Sequence, residues 1–105
     1  MRKALCIMAL LVVALLQSVQ AQTVTMNVSA YTHTGGVMAN GQYPYVGAAA
    51  SDDLPIGTKV MVNGSVYTIL DRFGGGYRNR LDLFMDSYDE AIEFGRQWLD
   101  VKILR

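Results

Sequence analysis

The first clear pattern in the chain is a strict alternation of apolar and polar residues. In TVTMNVSA, positions 23–30, four apolar side chains fall on one face of an extended chain and four polar ones on the other. A period of two with β-branched residues predicts a half-buried β-strand. The same alternation in LDVKILR, at the C-terminus, predicts a last strand.

Further strands are predicted between these two. TKVMV and SVYTIL flank Asn63-Gly64, a pair that favours a two-residue hairpin because both positions accept positive φ. VGAAAS predicts a short strand whose small side chains allow close backbone approach, and RLDLFM predicts a strand that begins near Asp82. HTGGVMANGQYPYVG, rich in Gly, Asn and Pro, predicts a loop.

One short helix is predicted before the last strand. Ser87 and Glu90 have the spacing of a capping box, so the helix is expected over Tyr88–Phe94, with Gly95 at its end. Trp98, between this helix and the last strand, is predicted to pack in the core. Six strands and one helix predict a mainly β fold, a small closed barrel, which leaves no strand edge exposed.

The N-terminal segment predicts a secretory signal peptide, residues 1–21. It has a basic start (Arg2, Lys3), an apolar run of 13 residues and small residues before a cleavage site after Ala21. A bilayer-spanning helix needs about 20 residues, so this run is too short to remain as an anchor. We therefore expect a secreted or periplasmic domain, residues 22–105, with no stable membrane anchor.

Composition removes several functions from consideration. Without the predicted signal peptide, seven basic and nine acidic residues remain, which gives no support to nucleic-acid binding. Cys6 is the only cysteine and lies in the predicted signal peptide, so a domain held by its core, without disulfides, is expected. We also expect this domain to be a monomer. His33 is the only histidine and has no partners at metal-ligand spacing, so it is interpreted as a loop residue and no metal or other cofactor is predicted.

The stretch DRFGGGYRNRLD, positions 71–82, is the candidate site. Two aspartates, Asp71 and Asp82, close a loop with three consecutive glycines and three arginines. A surface turn needs one or two glycines, so three predict a place where a ligand approaches the backbone. Taken alone, an aspartate before a glycine run is also an ordinary turn residue, and the pair could be structural.

The order and spacing of several stretches resemble one known family. SAYT, MANG, LPIGTKV, DRFGGGYRNRLDLF, DSYDEAIEFG and VKIL resemble the 3D domain, named for three aspartates. That domain belongs with the double-psi β-barrels, together with the membrane-bound lytic transglycosylase A family and stationary-phase muralytic proteins. The resemblance runs from about Ala30 to Leu104 and implies a six-stranded double-psi β-barrel with one short helix.

The resemblance also implies an activity. Such relatives are lytic transglycosylases, which cleave peptidoglycan between N-acetylmuramic acid and N-acetylglucosamine without water and leave a 1,6-anhydro end. Their catalytic acid corresponds to Asp82 and its companion carboxylate to Asp71. The first family aspartate falls on Asp52 or Asp53, with Asp52 favoured. The residues expected to bind the glycan strand are Tyr31, Asp52, Gly74, Gly75, Asn79 and Arg80.

An acid for this reaction must hold its proton near neutral pH, well above the ordinary aspartate pKa of about 3.9. A second carboxylate in a groove partly screened from water raises the pKa of the first. We therefore expect Arg72, Arg78 and Arg80 to point at substrate carboxylates or at Asp71, away from Asp82. Two alternatives stay open: a barrel that binds glycan without cutting it, and an inverting hydrolase in which Asp71 activates a water.

Overall fold

The structure, a computed structural model, describes residues 22–104, so the predicted signal peptide lies outside the described part. Six strands close into one barrel, in the order β1-β5-β2-β4-β3-β6. The predicted mainly β fold, a six-stranded barrel with one short helix before the last strand, is confirmed. The elements are β1 (Gln22–Tyr31), β2 (Ala48–Ala50), β3 (Lys59–Val62), β4 (Ser65–Asp71), β5 (Arg80–Phe84), α1 (Tyr88–Phe94) and β6 (Arg96–Leu104).

Two neighbouring strand pairs are parallel. β1 runs parallel to β5, and β2 parallel to β4, while the remaining neighbours in the barrel are antiparallel. Parallel strands cannot be joined by a tight turn, so the chain has to cross between them. The long connections 32–47 and 72–79 supply part of these crossings and lie at the ends of the strands that carry the candidate site.

The core fills the inside of the barrel. The alternation seen in the sequence of β1 places Met26 and Val28 inside, both almost fully buried. The side chains that complete this cluster come from the other five strands: Ala49, Val60, Val62, Ile69, Leu81, Leu83, Val101 and Ile103. Shortening one of the larger ones to alanine costs about 2–5 kcal/mol of unfolding free energy, so these positions hold the domain together.

A second apolar cluster lies on the outer face of the barrel. Ala48 and Phe84 alternate with the core residues Ala49 and Leu83 along their strands, so they point outward. Both are buried by Met38 of the 32–47 loop, and Tyr31 and Leu70 pack beside them. This cluster holds the loop against the strands.

The local signals in the sequence are confirmed. Asn63 and Gly64 have φ of 51° and 82°, and Val62 pairs with Ser65 as a two-residue hairpin requires. The Ser87 hydroxyl accepts the Glu90 N–H at 3.2 Å, which caps α1. At the other end Gly95, with φ of 65°, donates its N–H to the Ala91 carbonyl.

Trp98 does not pack in the core, so that prediction is wrong. β6 starts at Arg96, directly after Gly95, and its inward positions are Leu99, Val101 and Ile103. The alternation along the strand therefore turns Trp98 outward, where 69 % of its surface is exposed. β5 also begins earlier than expected, at Arg80 instead of near Asp82. Within residues 22–104 no helix has the length and apolarity needed to cross a membrane.

Candidate functional site

Asp71 and Asp82 belong to one row of residues that crosses the barrel wall. Asp82 in β5 pairs with Ser29 in β1 on one side and with Ala50 in β2 on the other. Ala50 pairs in turn with Asp71 in β4, and Ser29 pairs with Arg96 in β6. Directly paired residues project to the same face of a sheet, so these five residues, the aspartate row, share the outer face.

A β-bulge brings Asp71 into this row. Ala49 pairs with Ile69, whereas the next residue, Ala50, pairs with Asp71, so Leu70 is an extra residue in β4. Ile69 is fully buried in the core. Strict alternation would place Asp71 on the same inner face as Ile69, and the extra residue moves it to the outer face. The Cα atoms of Asp71 and Asp82 are thus two strand spacings apart, about 10 Å.

The environment of Asp82 raises the pKa of its carboxyl group. Burial is the largest cause, and the negative charge of Asp71 acts in the same direction. Three groups oppose this: the Ser29 hydroxyl, which donates to Oδ1 at 2.9 Å, and the charges of Arg80 and Arg96. The expectation that Arg80 would stay away from Asp82 is wrong, but the pKa is still raised because burial outweighs the opposing groups.

Asp71 is held by backbone amides. Its Oδ1 accepts the N–H of Arg72 at 2.8 Å and the N–H of Ala39 at 2.9 Å. Since amide N–H groups only donate, this oxygen is held as an acceptor. The contact with Ala39 also places the tip of the 32–47 loop beside the aspartate row, so the loop forms one side of the site.

Tyr31 lies between the outer cluster and the two aspartates. Its ring packs edge-on against Phe84, with ring centres 5.5 Å apart. Its hydroxyl is buried and makes no hydrogen bond to any described residue. Burial raises the pKa of this hydroxyl, and the charges of Asp71 and Asp82 raise it further, so the group stays protonated and remains a donor beside the pair.

The glycine loop folds around a carboxylate of the protein itself. Asp52 accepts four backbone N–H groups, those of Phe73 (2.8 Å), Gly74 (3.0 Å), Gly75 (3.2 Å) and Tyr77 (3.0 Å). The bond from Gly74 is the largest cause of the lowered pKa of Asp52, against a smaller opposing effect of burial. The N–H groups of Gly74 and Gly75 are therefore already bonded, and the loop differs from the ligand cradle that the sequence suggested.

At each of the three positions, steric constraints favour glycine over a residue with a side chain. Gly74 and Gly76 have φ of 90° and 70°, which residues with a Cβ adopt only with strain. A Cβ on Gly75 would lie 2.5 Å from the ring of Tyr77. The run of three glycines thus lets the chain curl around Asp52 and lets Tyr77 fold back over it.

Asp53 and Arg72 also stabilise the glycine loop, by hydrogen bonds to backbone groups. Asp53 accepts the N–H of Asn79 at 3.0 Å, and Asn79 has a φ of 53°. The Arg72 guanidinium donates to the carbonyls of Ser51 and Leu54. Asp52 and Asp53 both anchor the loop, and neither belongs to the aspartate row.

Arg80 stands at the junction of the loop and the row. Its guanidinium carbon lies 4.9 Å from the ring centre of Phe73 and 5.1 Å from that of Tyr77. The two rings meet edge-to-face at 5.7 Å. Such cation–π contacts hold the positive charge in place, and from there it lowers the pKa of Asp82.

Besides Ala50, two polar members of the row, Ser29 and Arg96, were missed by sequence reasoning. Ser29 lies on the polar face of the first predicted strand, a signal that allowed it to be found. Arg96 gave no such signal, since its place follows from the pairing of β1 with β6. Within residues 22–104, no three His, Cys, Asp or Glu side chains form a group suited to a metal ion.

A separate groove of about 490 Å³ lies beside α1 and does not include Asp71 or Asp82. It is lined by Val46, Tyr67, Phe84, Met85, Asp86, Glu90, Glu93 and Phe94.

Comparisons with known proteins give no family. None of the protein-family models, curated proteins or solved structures compared with the chain matches it. The resemblance to the 3D domain therefore stays a prediction from the sequence motifs.

Proposed function

We propose that this protein is a peptidoglycan lytic transglycosylase, with Asp82 as its catalytic acid and base. The observation that carries the proposal is the position of Asp82: half-buried, on the outer face of the barrel, in one row with Asp71, and with a raised pKa. A carboxyl group with a raised pKa beside a second carboxylate is the usual arrangement of a general acid.

The chemistry needs one group that gives a proton and takes one back. Asp82 donates its proton to the glycosidic oxygen while the bond from that oxygen to the anomeric carbon breaks. The C6 hydroxyl of the same N-acetylmuramic acid then bonds to the anomeric carbon, and its proton goes to Asp82. The products are a 1,6-anhydro end and a free hydroxyl on the leaving sugar, and Asp82 is protonated again.

Asp71 acts on the charge that develops on the sugar. The transition state of glycoside cleavage has oxocarbenium character, so a nearby carboxylate stabilises it. The amides of Ala39 and Arg72 fix the position of this carboxylate. Tyr31, whose protonated hydroxyl lies buried beside the pair, lines the site and keeps water from part of it.

The substrate and place of action follow from the same proposal. The protein acts as a monomer on glycan strands in the cell envelope, in a secreted or periplasmic form after removal of residues 1–21. No metal or other cofactor takes part in the proposed steps.

A second function is a barrel that binds glycan without cutting it. Arg80 and Arg96 favour it, because both charges lower the pKa of Asp82 and thus work against a proton held near neutral pH. In this case the row and the loop recognise the wall, and Asp82 only accepts hydrogen bonds.

Digestion of purified sacculi distinguishes the transglycosylase from the glycan-binding barrel. We expect the domain of residues 22–105 to release soluble fragments with anhydro ends, and Asp82→Asn to release none. The matched control is Asp86→Asn, an exposed aspartate four residues further along the chain, which should digest normally. If the unaltered protein and Asp82→Asn both bind sacculi equally and neither releases fragments, the protein is a binding module.

A further inference from the structure

A second row of residues runs beside the aspartate row on the same face. Trp98 in β6 pairs with Asn27 in β1, and Asn27 pairs with Arg80 in β5. Each of these residues is two positions from a member of the aspartate row, so its side chain points to the same outer face, about 7 Å further along the strands. We call these three residues the tryptophan row.

Trp98 is the most exposed large apolar side chain of the described protein, with 69 % of its surface free. Within residues 22–104 its indole makes no hydrogen bond and no contact with another ring or a cation. Exposing the apolar surface of an indole to water is unfavourable. No ring contact, cation contact or hydrogen bond within residues 22–104 offsets this cost for Trp98. On the outer face beside the aspartate row, the exposed indole is available to pack against a bound ligand.

The neighbours of Trp98 carry polar groups that the protein does not use. Within residues 22–104 neither the Asn27 amide nor the Arg80 guanidinium makes a hydrogen bond. Asn27 Oδ1 and Arg80 Nε are enclosed by the protein, but both side chains are only half-buried, so their terminal N–H groups are the parts that a ligand can reach. Tyr77, half of whose surface is exposed, lies over Arg80 and adds a second aromatic face at the far end of the row.

An aromatic face flanked by amide and guanidinium groups matches the surface of a sugar. A pyranose ring has an apolar face of C–H groups, which packs on an aromatic ring, and an edge of hydroxyls, which needs donors and acceptors. The charges around the row are of both signs, with Arg80 in the row, Arg96 and Asp82 on one side and Asp100 on the other. Neither sign dominates, so the row does not select a basic or an acidic peptide, and its aromatic face suits a sugar ring.

We propose that Trp98 is the stacking platform of a sugar-binding subsite beside the aspartate row. It holds a pyranose ring of the glycan next to the sugar on which Asp82 acts, with Asn27 and Arg80 facing the hydroxyls. This inference rests on the proposed function, since it takes the bound ligand to be the glycan strand.

Trp98 is the only tryptophan of the chain, so its fluorescence reports on this site directly. Asp82→Asn, which should bind without cutting, is titrated with peptide-free glycan strands prepared from sacculi. We expect a saturable change in tryptophan emission as the ring becomes covered. In the same background Trp98→Ala should bind sacculi at least tenfold more weakly, and Trp98→Phe should restore most of the binding.

The matched control is Tyr88→Ala, which removes another aromatic ring, 68 % exposed, from α1 outside both rows. It should bind like the parent. If emission does not change although the protein binds or digests sacculi, or if Trp98→Ala binds as tightly as Tyr88→Ala, the subsite is overturned and the proposed function stands. If the unaltered protein neither binds nor digests sacculi, the proposed function fails, and the subsite fails with it.

Discussion

Asp82 and Asp71 pair with the same residue, Ala50, from its two sides. The two carboxylates are therefore separated by one short strand that carries only a methyl group between them. Ala50 is almost fully buried, so a larger side chain there would have to displace its neighbours and would stand between the two aspartates.

Ser29 is predicted to hold the pKa of Asp82 down. Its hydroxyl donates to Oδ1 of Asp82, and a hydrogen bond to a carboxylate favours the charged form. Ser29→Ala should therefore raise the pKa of Asp82 further, because it removes one of the groups that lower this pKa. The measurement is an NMR titration of the Asp82 carboxyl carbon.

The control for this prediction is Thr25→Ala. Thr25 donates to Asp100 on the exposed part of the same strand pair, at 3.0 Å, so its removal should leave the Asp82 titration unchanged. An equal titration curve for Asp82 in the parent and in Ser29→Ala would show that the hydroxyl does not tune the acid.

The raised pKa of Asp82 also predicts how stability depends on pH. The folded protein holds this proton more tightly than the unfolded chain does, so its stabilising effect is complete below the unfolded pKa of about 3.9 and is lost as pH rises through the folded pKa. Asp82→Asn cannot lose this proton. Its free energy of unfolding should therefore improve relative to the parent as the pH rises from about 3.5 to 7.

Urea unfolding of the parent and of Asp82→Asn across this pH range measures the difference between their free energies of unfolding and shows whether it changes in the predicted direction. A parent that gains stability over Asp82→Asn as the pH rises would mean that the folded protein favours the ionised carboxylate, which contradicts the role of an acid.

Asp52 is predicted to organise the glycine loop. Asp52→Ala removes the acceptor of four backbone N–H groups, so the amides of Phe73, Gly74, Gly75 and Tyr77 should exchange with solvent much faster. Because the pKa of Asp52 is lowered, the same protection in the parent should be present above the ordinary aspartate pKa and fade as the pH falls through the folded value.

Hydrogen exchange followed by NMR measures this effect residue by residue. Asp89→Ala, on the exposed side of α1, is the control and should leave the four amides protected. If the four amides exchange at the same rate in Asp52→Ala, the loop is held by other contacts.

Much of the fold could be predicted because its signals are local. The Asn63-Gly64 hairpin, the Ser87 cap and the alternation in β1 depend on residues a few positions apart. The site residues Asp71 and Asp82 could be named, but their common face could not. That face depends on the bulge at Leu70, which follows from the pairing of β2 with β4.

Two features of the structure depend on contacts that the sequence does not show. The triple glycine suggested a ligand, whereas the loop wraps Asp52, a residue nineteen positions before Asp71 that the sequence does not visibly connect to it. The core position predicted for Trp98 treats it as a residue between the helix and the last strand. β6 already begins at Arg96, so the same alternation that places Leu99 inside turns Trp98 outward.

We propose that Asp82 cleaves glycan without water, and digestion of sacculi in water enriched in oxygen-18 tests this step itself. We expect anhydro-ended fragments that contain no oxygen-18, formed by the parent and by Asp86→Asn and absent with Asp82→Asn. Reducing-end fragments that carry oxygen-18 would contradict it and show an inverting or retaining hydrolase, and fragments formed equally by Asp82→Asn would remove Asp82 from the chemistry.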